Sequence, residues 1–194
     1  MPDIDIDTPS SFAAQTVFKK SVCASMVRNN ELVKHPVGTY FQSIPIDTFT
    51  NLAAIPYKEA EELGYFKVDF LHLSFLDNFK SKQEIRTLLK KEPNWALLQI
   101  PSVVIQLSHL SNYFDVLNKV KPTSIQEVAD VLALIRPAKQ YLIPEYIKNR
   151  DLCREQLYLT PKEPNAIWFK RSHSIAYAHN IVLQLHLIES GIEI

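Results

Sequence analysis

Glycine is almost missing from this chain, with 3 residues in 194. Gly38, Gly64 and Gly191 stand far apart, so no glycine-rich phosphate loop can be assembled, and neither a GxGxxG nor a Walker-type pattern occurs. Cysteine is as sparse. Cys23 and Cys153 belong to no CxxC or Cys/His cluster, which reads as two reduced thiols in an intracellular protein. His35, His72, His109, His173, His179 and His186 show no HExxH or other zinc spacing, which argues against a zinc site. No apolar run approaches the ~18 residues of a membrane span and no signal-peptide pattern opens the chain, so no membrane partner is expected. Charge excess is also absent: 21 Lys+Arg balance 21 Asp+Glu, so any nucleic-acid surface has to be a local patch.

What is present is an ordinary globular balance, 46% hydrophobic and 22% charged, punctuated by 12 prolines. The length suits one good core with a smaller lobe attached. The opening MPDIDID places Asp3, Asp5 and Asp7 on one face of a strand and Ile4 and Ile6 on the other. The isoleucines can be buried; the acids cannot unless something neutralises them. Either this is a frayed acidic terminus in solvent, or a hard divalent cation is the neutraliser, since Mg²⁺ needs only one or two carboxylates plus substrate phosphates.

TPSSFAAQTVFKKSVCASMVRNN reads as a helix capped by Ser10 or Ser11 and closed by asparagine, with Lys19, Lys20 and Arg28 on a basic face. VKHPVGTYFQSIPI reads as extended, and YKEAEELG as a short helix with Gly64 at C′. YFKVDFL alternates as a strand in which Asp69 is isolated among Phe66, Val68, Phe70 and Leu71. Such an acid needs a partner. Lys67 is one candidate, because period two puts it on the same face.

The second half is expected to be helical. SKQEIRTLLKKEP, IQLSHLSNYFDVLNKVKP, TSIQEVADVLALIRP and AKQYLIPEYIKNR carry 3.6-residue apolar periodicity, and the first three stop at proline. Thr123-Ser124 with Glu127 forms a capping box. LCREQLYLTPKEPNAIWF reads as a connection, and SHSIAYAHNIVLQLHLIESG as a final amphipathic helix ending at Gly191. The expected class is α+β: residues 1–80 as a small sheet region carrying the acids and 81–194 as a helical region, the two forming one compact unit.

Five segments, in order, resemble one family. PDIDID is similar to the PD-x-D-x-D palm motif of the C-family bacterial replicative DNA polymerases, the alpha subunit of DNA polymerase III, and KHPVG (residues 34–38) is similar to their KHAGG. LGYFKVDFLHL resembles GLVKFDFLGL, which carries the third palm aspartate. VVIQLSHLSNYFDVLNKVKPTSIQEVADVLALIRPAKQYLIPEYI resembles the fingers segment running from VFQLES through KP to ALFRPGP, and FKRSHSIAYA resembles FNKSHSAAYA.

The resemblance implies a small mixed palm sheet of the nucleotidyltransferase type followed by a mostly helical fingers-like lobe. It implies template-dependent DNA polymerisation with two Mg²⁺ ions held by Asp3, Asp5 and Asp69, Asp7 not being a principal ligand. Lys67, Arg136, Arg171 and His173 then fall at positions that contact the incoming nucleotide, and Lys19, Lys20 and Lys34 are candidates for DNA backbone contacts. Read without the resemblance, Arg136 is a cation in the last turn of a helix, and Arg171 and His173 are first-turn residues electrostatically misplaced at a helix N-terminus. The implied partners are primer-template, deoxynucleoside triphosphate and other replication proteins, in the cytoplasm of a bacterial host cell; a gene pruned in this way fits a bacteriophage.

The departures are large. The family's upstream palm piece, with its glycine-serine phosphate loop, has no counterpart, and the stretch from Asp5 to Asp69 leaves no room for the thumb. RPGP has become RPAK, the lysine of NKSH is Arg171, and His72, expected to be a packed histidine, replaces a glycine. A polymerase without a thumb should grip DNA poorly, because phosphate contacts supply much of the affinity. The alternative to an enzyme is therefore a non-catalytic, polymerase-derived protein that binds DNA, nucleotide or a host replication partner.

Overall fold

The computed structural model describes residues 4–163 and 166–194. The chain divides into two compact units, one ending at Asn78 and the other spanning Phe79–Ile194. The class is α+β, with a five-stranded mixed sheet among the described residues.

The first unit runs β1 (Ile4–Thr8), α1 (Ala14–Val17), β2 (Val22–Arg28), β3 (Glu31–Tyr40), β4 (Leu52–Pro56), α2 (Tyr57–Glu62) and β5 (Val68–His72). Its sheet has the order β1-β5-β3-β2-β4. β1 pairs in parallel with β5 and β2 with β4, while β2–β3 and β3–β5 are antiparallel. Two layers cover the sheet. On one face Ala24 and Tyr40 cluster with Ala60 of α2, and on the other Val68 and Phe70 pack on Ala14 and Phe12. Gly64 follows α2 with φ of 91°, the left-handed C′ conformation that glycine adopts without a Cβ penalty.

Two readings of this half are corrected. Residues 18–30 are not the body of a helix: α1 stops at Val17, and β2 follows with paired neighbours on both sides. The two asparagines that suggest a helix end are instead a hairpin turn. Asn29 and Asn30 both have positive φ, 53° and 61°, as a two-residue type I′ loop requires. Lys19 and Lys20 therefore sit exposed in the turn after α1 and Arg28 at the end of β2, and they share no helical face. Second, Ile4 and Ile6 are not buried; they are 36% and 43% exposed because β1 is the edge strand and the aromatic layer covers β5 instead.

The second unit is helical: α3 (Lys82–Leu88), α4 (Pro101–Val104), α5 (Phe114–Val120), α6 (Ile125–Leu134), α7 (Ile143–Lys148), α8 (Arg150–Leu157) and α9 (Arg171–Glu189). Ser81, Ser124 and Asn149 cap α3, α6 and α8 by accepting from the backbone N–H groups of Glu84, Glu127 and Leu152. At α6 the Glu127 carboxylate reaches back to the Thr123 N–H at 2.8 Å, giving the box its return bond. The segment expected as one helix through residues 105–122 is helical only in α5; the stretch between α4 and α5 is irregular, and His109 in it takes φ of 63°. The segment expected as a connection contains α8, started by the Asn149 cap. α9 is not amphipathic in its second half, since residues 180–187 are all buried. The polar residues there are satisfied: Gln184 accepts from Ser108 N–H at 2.9 Å and donates to Ser108 Oγ at 2.7 Å.

Candidate functional site

The parallel register of β1 and β5 sets Asp5 directly beside Asp69. Registered residues on neighbouring strands share a face, so the two carboxylates stand side by side, about 4.8 Å apart at the backbone. Asp3 lies outside the described residues, so the acid pair seen is Asp5 and Asp69. Gly38 is the antiparallel partner of Asp69 on β3.

Asp69 is 15% exposed. Its Oδ2 is ion-paired with Lys67 Nζ, and its Oδ1 is buried with no hydrogen-bond partner among the described residues. The Lys67 ion pair is the partner that period-two geometry offers. The orphaned oxygen is not explained by it, and an unmet buried acceptor costs roughly 1–3 kcal/mol.

KHPVG builds the wall of the site. His35 Nδ1 accepts the Gly38 N–H at 2.9 Å, which leaves the ring neutral with its proton on Nε2. Burial, and secondarily the Lys67 charge, pull the His35 pKa below its ordinary value. The ring meets Tyr57 edge-on, centroids 5.0 Å apart, and Lys67 Nζ lies 5.7 Å from the same tyrosine ring. A Cβ at Gly38 would sit 2.8 Å from His35 Nδ1 and 2.9 Å from Lys67 Cδ, so glycine creates the notch that holds both. His35 and Tyr57 are absent from the candidates drawn from sequence. For His35 the signal is the KHPVG segment; Tyr57, the first residue of α2, has none, and its contact with His35 depends on the tertiary packing of α2.

The other candidates of the first unit are placed less pointedly. Lys34 is exposed on β3. A pocket of about 90 Å³ is lined by Phe12, Lys34, His35, Gly38, Phe70 and His72 among others, Phe70 and His72 alternating with Asp69 along β5. His72 is exposed rather than packed; its Nδ1 is 3.3 Å from Thr8 Oγ1 at the end of β1.

In the second unit Arg136 follows α6. Its Nε donates to Leu132 O at 3.3 Å, its guanidinium stacks 3.8 Å from the Phe169 ring centroid, and its Nη2 is buried without a partner among the described residues. Burial pulls its pKa down, with Tyr113 and Tyr177 acting the other way. Phe169 stacks on Tyr177 at 5.2 Å, and His109 contacts the same tyrosine at 4.5 Å. Arg171 and His173 occupy the first turn of α9, where Lys170 supplies no side-chain cap. Arg171 Nη2 donates to Gln126 Oε1 at 2.9 Å, and Gln126 Nε2 donates in turn to Asp130.

Asp130 carries no sequence signal of its importance. It is fully buried and accepts from Gln126, Tyr146, Tyr158 and Arg154, each at 2.7–2.8 Å. Burial first, then its contact with this carboxylate, push the Tyr146 hydroxyl pKa well up. Lys139, in the RPAK segment, is buried with Nζ donating to Gln156 O and Leu159 O at the end of α8. Both are structural.

No protein-family model matches the chain, and no curated protein matches it. Among the described residues, no three of His, Cys, Asp and Glu form a metal-holding group, and no helix is long and apolar enough to cross a membrane.

Proposed function

We propose that the protein is a DNA polymerase-type nucleotidyltransferase of reduced palm-and-fingers form, related to the alpha subunit of bacterial DNA polymerase III. The observation that carries the reading is the β1–β5 register, which sets Asp5 beside Asp69 while Asp69 Oδ1 is a buried acceptor without a partner among the described residues. A hard cation with oxygen ligands fits that donor set. Asp5 and Asp69, with Asp3 as the third acid of the motif, would hold Mg²⁺, two ions in the proposed reaction, which supply charge neutralisation for phosphoryl transfer when bound.

Each unit has cations of its own that are proposed as phosphate contacts. Lys67 lies against the acid pair, where a triphosphate oxygen can accept its proton donors. In the second unit Arg136, stacked on Phe169 and with its buried Nη2 lacking a partner among the described residues, is the proposed guanidinium for a phosphate. Arg171 and His173, at the start of a 19-residue helix, belong to the same class of phosphate contact. Lys19, Lys20 and Lys34 are proposed to touch the DNA backbone. Primer extension with Mg²⁺ and four deoxynucleoside triphosphates tests the reading. The wild-type chain, alone or with host replication proteins, should extend the primer and Asp69→Ala should not; equal products from both would sink it.

One observation favours a second reading: Lys67 already neutralises Asp69. In a polymerase-derived binding protein that ion pair is purely structural. Primer-template binding would then survive Asp5→Asn and show no dependence on Mg²⁺.

A further inference from the structure

We propose that Lys67 is a built-in counter-cation of the acid pair, holding Asp69 when no divalent ion is bound and competing with that ion for the carboxylate. The inference rests on the metal reading above and goes beyond it, because it makes Lys67 a determinant of metal affinity as well as a phosphate contact.

The placement of Lys67 is built. The residue lies one position before β5, on the face of Asp69, and its side chain is only 20% exposed. Its stem occupies the notch that Gly38 leaves open, and its ammonium lies 5.7 Å from the Tyr57 ring. His35 closes the same notch through its bond to the Gly38 N–H. A lysine held on three sides in this way does not swing freely in solvent.

The pairing is also incomplete. Lys67 engages Oδ2 and leaves Oδ1 without a hydrogen bond among the described residues. A divalent cation at the pair would sit within a few ångströms of the ammonium, and like charges that close repel strongly in a half-buried site. Metal and ammonium therefore exclude each other until an anion arrives to accept Lys67. A triphosphate is such an anion, so metal and triphosphate should each strengthen the binding of the other.

The test is Mn²⁺ binding followed by the electron paramagnetic resonance signal of the free ion, in the absence of nucleotide and DNA. Lys67→Met should bind Mn²⁺ on the order of tenfold more tightly than wild type, because the competing charge is gone. Lys67→Gln, which keeps a polar stem, should do the same, Lys67→Arg should behave as wild type, and Asp69→Asn should lose the ion. If the two neutral variants bind no more tightly than wild type while Asp69→Asn still loses Mn²⁺, the metal site stands and the counter-cation role is overturned. If neither wild type nor the neutral variants bind Mn²⁺, with circular dichroism showing all of them folded, the metal reading fails and takes this inference with it.

Discussion

A carboxylate that accepts four hydrogen bonds in a fully buried position has its lone pairs committed, and Asp130 is in that state. Its removal would take the partner from Arg154 Nε and from two buried or half-buried tyrosine hydroxyls. Asp130→Ala should therefore destabilise the protein by about 3–5 kcal/mol, seen as a lower urea midpoint. His35 and His109 are both held below their ordinary pKa of 6.5, first by burial. The unfolded chain then binds more protons than the folded one, so stability is full above about 6.5 and falls as pH drops toward the folded values. At Glu127 burial pushes the carboxyl up, but the Thr123 N–H and Arg150 outweigh it and hold it below 4.5, adding a second loss at lower pH. Urea midpoints from pH 8 to 4 should fall in these two windows, and His35→Gln should flatten the first. The Lys67–Asp69 pair was legible in sequence because period two is a local rule; the His35–Gly38 notch was not, because it needs the order of the strands.

At the scale of elements, the legible pieces were those with a local stop or start signal. β1 and β5 alternate, Gly64 ends α2, and Ser124 with Glu127 starts α6. VCASMVR by itself fits a helix or a strand, and only pairing with β3 and β4 makes it β2. The consecutive asparagines of the hairpin were the available clue. α5 ends in a way sequence does not announce. Lys121 closes it in the left-handed conformation, φ 49° and ψ 62°, with its N–H donating to Leu117 O at 2.7 Å. A side chain there costs roughly 1–2 kcal/mol. Lys121→Gly should raise stability by up to about 1 kcal/mol after the added freedom of the unfolded chain is deducted, measurable as a higher melting temperature.

For the whole molecule, the two units differ in how they are held together. The second has one contiguous core running from Leu98 through α6 to Leu185, whereas the described core of the first consists of small clusters on either face of the sheet. A fragment of residues 79–194 should accordingly unfold cooperatively in urea by itself, and one ending at Asn78 should unfold at lower denaturant; a non-cooperative 79–194 fragment would contradict this. The parallel edge position of β1 has a kinetic consequence too. Ile4 and Asp5 find their partners, Val68 and Asp69, across nearly the full length of the first unit, while β2 and β3 close through a two-residue turn. Loop closure over that distance comes after local pairing. The strand that carries the acids is thus expected to dock last: Ile4→Ala and Ile6→Ala should speed unfolding and leave refolding rates nearly unchanged, and the β1 amides should be among the first in the sheet to exchange with deuterium. Acquisition of the charged site would then be the closing step of folding, after the hydrophobic layers have formed.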